Sequence, residues 1–266
     1  MGTAPTPILV SATGTGNAAD GTITRDAIDD LIGAMSPHLL IYLRAKKITP
    51  SNSSFVDALG NTVAANTSGA TKNNADPNFN GKPSITFNNT NNVYTMAAGS
   101  IGVGSPPVAM TNSFTVMAGI RPSAAGAQSL YGDNAVTTGL SNITGLYLDT
   151  NGRLNYAIGS STYTILSTLL SPAATGVIWI SFDATTSILR AGLNNGSTLI
   201  QTTTNNTRVG GGTSTVCQPF GLSPSGSAGY QCFNRWALFS KAYMNGSASS
   251  DDATFTNLVT TFAVLI

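Results

Sequence analysis

The sequence predicts an all-β protein built from two antiparallel sheets packed as a sandwich. Short apolar segments recur along the chain, several of them alternate with a period of two, and Gly- and Asn-rich turns separate them. Many short strands joined by such turns are typical of β-sandwiches, and a sandwich of this length can be one domain. The hydrophobic content of 41% argues against a disordered chain.

The chain contains no glutamate, and its acidic residues are eleven aspartates. Only 9% of the residues are charged, and a formal charge of +1 provides no field that would attract nucleic acid or an anionic membrane. No stretch approaches the roughly 20 apolar residues that a membrane-spanning helix needs. We therefore expect a binding or structural role without catalysis, no nucleic-acid partner and no membrane insertion.

Residues 1–37 predict an extended arm followed by a short amphipathic helix. After a segment rich in Gly, Ala, Thr and Pro, four apolar residues recur at helical spacing: Ile28, Leu31, Ile32 and Met35. Three aspartates crowd the first turns, where the helix dipole favours anions: Asp26, Asp29 and Asp30. The apolar stripe must be covered by its own domain or by a neighbouring subunit. We expect residues 1–37 to serve docking and assembly and residues 38–266 to form the sandwich.

From residue 38 onward, the pattern predicts strands and one closing helix. The predicted strands are 38–43, 82–87, 93–96, 113–120, 145–148, 153–158, 162–166, 177–182, 187–193, 197–200 and 233–239. Asp149 to Gly152 reads as the turn of a hairpin, and the Asn195-Gly196 pair tolerates the positive φ of a tight turn. The segment 250–262 predicts a helix because four apolar residues share one face: Phe255, Leu258, Val259 and Phe262.

Several short motifs follow one another within the predicted sandwich. They are a D-x-x-G-N turn in 55–61, a G-x-P-x-x-x-F strand in 81–94, an alternating strand in 114–122, a G-x-x-W to Asn-Gly hairpin in 176–196 and a final strand in 229–242. In this order they resemble the laminin-G-like, concanavalin A-like jelly-roll modules, over roughly residues 38–262. The resemblance implies two curved antiparallel sheets, a scaffold used for glycan or protein binding and in viral particles.

Fold alone does not fix function, and the chain departs from the family at one position. The acidic residue common in the last strand is replaced here by Arg235 or Trp236, so no family role of that carboxylate carries over. Some relatives are glycoside hydrolases, which need two carboxylates facing one sugar. The adjacent pairs Asp29/Asp30 and Asp251/Asp252 diverge and lie in predicted helix starts. His38 is the only histidine and no G-x-S-x-G motif exists, so we predict no enzyme.

Metal and disulfide sites are weakly indicated. Many relatives of the fold bind calcium, which needs six or more oxygen ligands. Four residues could contribute, although each also fits an ordinary turn: Asp133, Asn134, Asp149 and Asp183. Cys217 and Cys232 could form one disulfide or remain free buried thiols, and the sequence leaves both open.

Glycan binding usually stacks an aromatic ring on the sugar and surrounds it with amide and carboxylate groups. Tyr131, beside Asp133 and Asn134 in a predicted loop, is the leading candidate for ligand binding, and Tyr230 is the second. The two tryptophans lie within apolar alternation and are predicted to be core residues: Trp179 and Trp236.

The composition resembles that of an exported protein, whereas the first residues contain neither the basic nor the long apolar region of a secretory signal. We therefore expect a non-enzymatic virion structural protein of a bacteriophage, assembled in the host cytoplasm and exposed outside the cell. It would be a capsid decoration, head fibre or tail-fibre-like component and a homo-oligomer. Other virion proteins would contact residues 1–37, and the sandwich would attach to a host-surface glycan. The alternative is a free carbohydrate-binding module of a secreted protein.

Overall fold

The computed structural model describes most of the predicted strands and both predicted helices. The residues described are 26–50, 54–66, 70–86, 93–97, 113–122, 128–132, 144–149, 151, 153–158, 161–166, 174–186, 188–193, 198–203, 216–220, 231–243 and 250–266. Helix α1 spans Ala27–Ala34 and helix α2 spans Ser250–Leu265. Asp26 caps α1, since its carboxylate accepts a hydrogen bond from the Asp29 N–H at 3.0 Å.

Short strands make up the rest of the described fold. Their bounds are β1 (Leu39–Arg44), β2 (Ser54–Val56), β3 (Thr62–Asn66), β4 (Thr71–Asp76), β5 (Lys82–Thr86), β6 (Val93–Ala97), β7 (Phe114–Pro122), β8 (Gln128–Gly132), β9 (Thr144–Leu148), β10 (Leu154–Ile158), β11 (Ser161–Leu166), β12 (Gly176–Asp183), β13 (Ile188–Leu193), β14 (Thr198–Thr203), β15 (Val216–Phe220) and β16 (Gln231–Phe239). Every predicted strand has a counterpart among them.

The strands form two antiparallel sheets. Sheet 1 has the order β14-β13-β12-β7-β16-β5-β4, with β1 also paired to β16. Sheet 2 has the order β11-β10-β9-β8-β15-β6-β3-β2. Strand β16 pairs with β7 along one side, and on its other side it pairs first with β5 and then with β1. The predicted two-sheet antiparallel sandwich is therefore confirmed.

Apolar side chains from both sheets fill the space between them. This inter-sheet core includes Val63, Leu130, Leu148 and Leu154 from sheet 2, packed with residues of sheet 1 such as Trp236. Burying a large apolar side chain contributes about 1.5–3 kcal/mol. The core is therefore the main source of stability for the sandwich.

A second apolar cluster lies on the outer face of sheet 1, beneath the two helices. We call it the helix-side cluster; its buried members are Ile28, Ile32, Met35, Leu39, Tyr42, Met117, Val177, Trp179, Ala237, Phe239, Tyr243, Phe255, Leu258, Val259 and Phe262. Its strand residues alternate with residues of the inter-sheet core, as Trp179 does with Ile178 and Ile180. The central strands of sheet 1, such as β7 and β12, are therefore buried on both faces. Trp179 and Trp236 are both fully buried, as predicted.

Two glycines of sheet 1 make room for the helix-side cluster. A Cβ on Gly119 would lie 2.3 Å from the ring of Phe262, which belongs to α2. A Cβ on Gly192 would lie 2.1 Å from the indole of Trp179. Both rings occupy space that any larger residue would fill, so these positions require glycine.

The structure shows what covers the apolar stripe of α1. Ile28 and Ile32 are fully buried and Met35 is 3% exposed, all within the helix-side cluster, while Leu31 packs at its edge. The sequence left open whether this stripe packs on its own domain or on a neighbouring subunit, and in the structure it packs on its own domain. The stripe is therefore not an available docking surface, and no packing boundary separates α1 from the sandwich. For residues 1–25, which lie outside the described residues, the docking role stays a prediction.

Candidate functional site

The structure describes only part of the predicted ligand-binding site. Asp133, Asn134 and Tyr230 lie outside the described residues, and of Tyr131 the structure describes the backbone, which belongs to β8. Gly132, the last residue of β8, pairs with Gln218 of β15. Gln231, the first residue of β16, pairs with Pro122, the last residue of β7. The glycan-binding role of Tyr131, Asp133, Asn134 and Tyr230 therefore stays a prediction.

The D-x-x-G-N motif forms a turn that is pinned to β1. Asp57 accepts hydrogen bonds from the N–H groups of Leu59 and Asn61, both at 2.8 Å, and from the N–H of Tyr42 at 3.1 Å. The Asn61 amide donates to the carbonyl of Leu40 at 3.0 Å. Gly60 has φ +92°, a conformation that favours glycine. On the side of β1 that faces away from β16, no strand is described, and the motif there pairs the N–H of Tyr42 and the carbonyl of Leu40.

The aspartates considered for calcium are used in turns. Asp149 accepts from the N–H groups of Asn151 and Arg153, each at 2.9 Å, and forms an ion pair with Arg153. Asp183 accepts from the N–H of Thr185 and the hydroxyl of Thr186, both at 2.9 Å. Among the described residues, no group of three or more His, Cys, Asp or Glu side chains could hold a metal ion. Asp149 and Asp183 therefore do not fit a calcium site here.

Asp76 is, like Asp57, a buried aspartate with a structural role. Its carboxylate accepts from the hydroxyl of Ser84 at 2.6 Å and from the N–H and side-chain amide of Asn78, both at 2.9 Å. Burial raises the pKa of Asp76, but these hydrogen bonds outweigh it and hold the pKa below its ordinary value. Asp76 therefore stays ionised and closes the β4–β5 connection.

Cys232 is a free, buried thiol, so the disulfide with Cys217 is not formed. Its sulfur lies 3.7 Å from Asp76 Oδ2. Cys232 belongs to β16 in sheet 1, whereas Cys217 belongs to β15 in sheet 2. Burial raises the pKa of the Cys232 thiol above its ordinary value, so the thiol remains protonated.

A network of charged groups anchors α1 to sheet 1. We call it the anchor network; its members are Asp26, Asp29, Tyr42, Arg44, Asn234 and Arg235. Arg44 pairs with Asp29 at 2.8 Å, and the Nε of Arg235 lies 3.5 Å from the same carboxylate. Arg235 also pairs with Asp26 and donates to the Tyr42 hydroxyl. Two carboxylates thus face two guanidinium groups between the helix and the strands.

Burial decides how this network behaves. The side chains of Asp29 and Arg235 are each 8% exposed. Burial raises the pKa of Asp29, but the hydrogen bond from Tyr42 and the charges of Arg235 and Arg44 outweigh it and hold the pKa below its ordinary value. Burial also raises the pKa of Tyr42 well above its ordinary value. The phenol therefore stays neutral and donates a hydrogen bond to the Asp29 carboxylate.

Sequence reasoning missed this network, although one signal was present. Arg235 is the one charged residue of a largely apolar strand, and a buried cation requires a carboxylate partner. The partner, Asp29, lies 206 positions earlier in the chain, at a helix start where the dipole alone explains an acidic residue. His38, the only histidine of the sequence, lies between α1 and β1, and its ring contacts Tyr243 edge-on. Its backbone carbonyl accepts hydrogen bonds from the N–H and the hydroxyl of Ser240.

Among the described residues, neither helix is long and apolar enough to cross a membrane. No family model matches the sequence, and no curated protein matches it.

Solved structures share the fold at low sequence identity. The binding domain of Paraclostridial Mosquitocidal Protein 1 matches with a TM-score of 0.57 at 12% identity, over 84% of this chain and 52% of that one. A mutant of Trypanosoma rangeli sialidase with trans-sialidase activity matches with a TM-score of 0.55 at 10% identity, over 86% of this chain and 34% of that one.

A third structure concerns botulinum neurotoxin type C, whose cell entry is described as dependent on interaction with two ganglioside molecules. It matches with a TM-score of 0.52 at 13% identity, over 85% of this chain and 53% of that one. This chain therefore spans between about a third and a half of the length of these structures. At such identity, the similarity shows that the fold is the β-sandwich found in these proteins.

Proposed function

We propose that this protein is a non-enzymatic, lectin-like sandwich module that binds a glycan on a cell surface. The observation that carries the proposal is the fold shared with toxin binding domains, one of them from a toxin linked to gangliosides. The composition agrees, because Asn, Ser, Thr and Gly supply hydrogen-bonding groups without net charge.

The use of the aspartates supports binding over hydrolysis. Glycoside hydrolysis requires two carboxylates that face one sugar. Asp57, Asp76 and Asp149 each accept several hydrogen bonds that close local turns, and Asp29 is held by two arginines. These four carboxylates are therefore committed to the fold. The sialidase among the similar structures is longer, and this chain spans 34% of it.

The arrangement of layers indicates where a ligand would bind. Both helices pack on the outer face of sheet 1, and the inter-sheet core fills the space between the sheets. Among the described residues, no layer is seen to cover the outer face of sheet 2, which is therefore the face we propose for the ligand. In the sequence, Asp133 and Asn134 follow β8 closely and stand beside Tyr131, and they provide the residue types that glycan sites use.

A glycan array probed with the full chain tests the proposal. We expect binding to a defined set of glycans, with affinity reduced about tenfold by Tyr131→Ala, Asp133→Ala or Asn134→Ala, the loss expected when one stacking or hydrogen-bonding group is removed. Asp183→Ala is the matched control, because Asp183 closes a turn at the β12–β13 hairpin. Absence of binding to every glycan by the folded chain would reject the proposal.

We further propose that the module is displayed on a bacteriophage particle, with residues 1–25 docking it to other virion proteins. The export-like composition and the sandwich support this setting, and a free secreted glycan-binding module is the alternative. Mass spectrometry of purified particles decides between them. The chain is expected among the structural proteins of the particle; its recovery only from the culture medium would favour the secreted module.

A further inference from the structure

The anchor network holds α1 in place by charge as well as by apolar contact. Ile28, Ile32 and Met35 bury one face of α1 in the helix-side cluster. At the start of the helix, Asp26 and Asp29 contact Arg235, and Asp29 also contacts Arg44. The charged contacts are thus concentrated at one end of a helix of eight residues, a length that is not stable without tertiary packing.

The position of α1 allows it to separate without disrupting a sheet. The helix precedes β1, and the ladder of β1 runs to β16 and involves no residue of α1. None of the residues of the inter-sheet core belongs to α1 within the described part of the chain. Release of α1 would therefore break the contacts of α1 in the helix-side cluster and in the anchor network, while the described β-ladders remain intact.

The charge balance of the network depends on Asp29. The groups that face it are Tyr42 and Arg44 from β1, Arg235 from β16 and Asp26 at the helix start. From α2, the nearby group is the uncharged ring of Phe262, 5.8 Å from the guanidinium carbon of Arg235. Loss of the Asp29 charge would leave two largely buried guanidinium groups facing one carboxylate, an arrangement that strongly disfavours the packed state.

We propose that α1 is a releasable strap: loss of the negative charge on Asp29, by acid or by substitution, frees the helix from sheet 1 while the two-sheet sandwich stays folded. Release exposes the apolar stripe of α1 and part of the helix-side cluster. The stripe that the sequence suggested for assembly would then become available after opening.

Asp76 provides a matched comparison within the same chain. It is as buried as Asp29, at 3% and 5% exposure respectively. Its hydrogen-bonding partners are neutral, namely Ser84 and Asn78, and it lies in the β4–β5 connection. Removing its charge leaves no directly paired buried cation behind and affects no contact of α1.

Hydrogen exchange read by mass spectrometry on the full chain tests the proposal. At neutral pH, Asp29→Asn is expected to reduce exchange protection of residues 27–34 at least about tenfold, as follows from uncompensated buried charge, while β7 and β12 stay protected and lose at most the contribution of α1 to the free energy of global unfolding. Asp76→Asn should leave α1 protected. Wild-type protein taken stepwise from pH 7 into acid should lose protection of residues 27–34 at a higher pH than that of β7 and β12, and regain it on return to pH 7.

Two results would overturn the proposal. In Asp29→Asn and in acid, β7 and β12 could lose their protection together with α1, with no state in which the sheets stay protected and α1 does not, which would make the network part of the global fold. Alternatively, α1 could keep its protection in Asp29→Asn and, in acid, until the sheets themselves lose theirs. If Asp29→Asn does not fold, the wild-type pH series and the milder Asp26→Asn, whose carboxylate is 30% exposed, give the same two readouts.

Discussion

Asp57 illustrates how carboxylates are used in this chain at the scale of the residue. It is 8% exposed and accepts hydrogen bonds from three backbone N–H groups, so it replaces a strand partner for part of β1. Such a carboxylate cannot be removed without leaving buried N–H groups unpaired, and each unpaired group costs about 1–3 kcal/mol. Its role is therefore structural.

Substitution of Asp57 tests this role directly. We expect Asp57→Ala to lower the free energy of unfolding by about 2–4 kcal/mol, because several buried donors lose their acceptor at once. Asp183→Ala, at a more exposed turn, should cost less than about 1 kcal/mol. Urea denaturation followed by tryptophan fluorescence measures both. Equal losses for the two variants would contradict the structural role of the Asp57 turn.

At the scale of the element, the helices show what periodicity can and cannot predict. The spacing of Ile28, Ile32 and Met35 indicated a helix with one apolar face, and α1 has both. Periodicity does not identify the surface that covers such a face, and the structure places it on sheet 1 beside α2. The sequence therefore left two coverings open, of which the structure shows the chain's own domain, and the assembly role of the stripe stays a prediction.

Strand prediction succeeded where burial produced a pattern. β12 was recognised as an apolar segment and β7 from its alternation with a period of two, and both are continuously buried. β4, Thr71–Asp76, was missed because it is a polar strand at the edge of sheet 1, with most side chains exposed. The D-x-x-G-N turn was predictable from its motif, whereas the Asp29–Arg235 pair depends on tertiary contact between distant segments.

Truncation distinguishes the arm from α1. Deletion of residues 1–38 should lower the free energy of unfolding by roughly 5 kcal/mol or more, because three buried apolar side chains and the anchor network are lost. Deletion of residues 1–25 removes none of the described contacts of α1 and should change the free energy of unfolding by less than about 1 kcal/mol. Thermal unfolding of the two truncated chains measures the difference. Similar losses for both would show that α1 is not part of the folded domain.

At the scale of the whole molecule, the sandwich is a scaffold in which the central strands of sheet 1 are covered on both faces. Its described carboxylates serve the fold, and burial opposes their ionisation while hydrogen bonds and cations favour it. The net result lowers the pKa of Asp29, Asp76 and Asp149. Stability from these groups is therefore complete above their unfolded pKa of about 3.9 and is lost as the pH falls through the lower folded values.

The pH dependence of the urea midpoint checks this sign. We expect the stability contributed by these three aspartates to be constant between about pH 5 and pH 8. When the pH is lowered below about 4, the urea concentration at the midpoint should decrease. The Asp29→Asn/Asp76→Asn double variant should show a weaker fall in acid than the wild type, since it lacks two of the carboxylates. A midpoint that rises on acidification from pH 5 to pH 3 would contradict the assignment.

Binding without turnover is the central claim for the molecule as a whole. The full chain should be incubated with a glycan that it retains on an array, and the bound fraction eluted and weighed by mass spectrometry. The account predicts saturable binding and recovery of the intact glycan after prolonged incubation. Recovery of a shortened glycan, or retention that does not saturate, would contradict it.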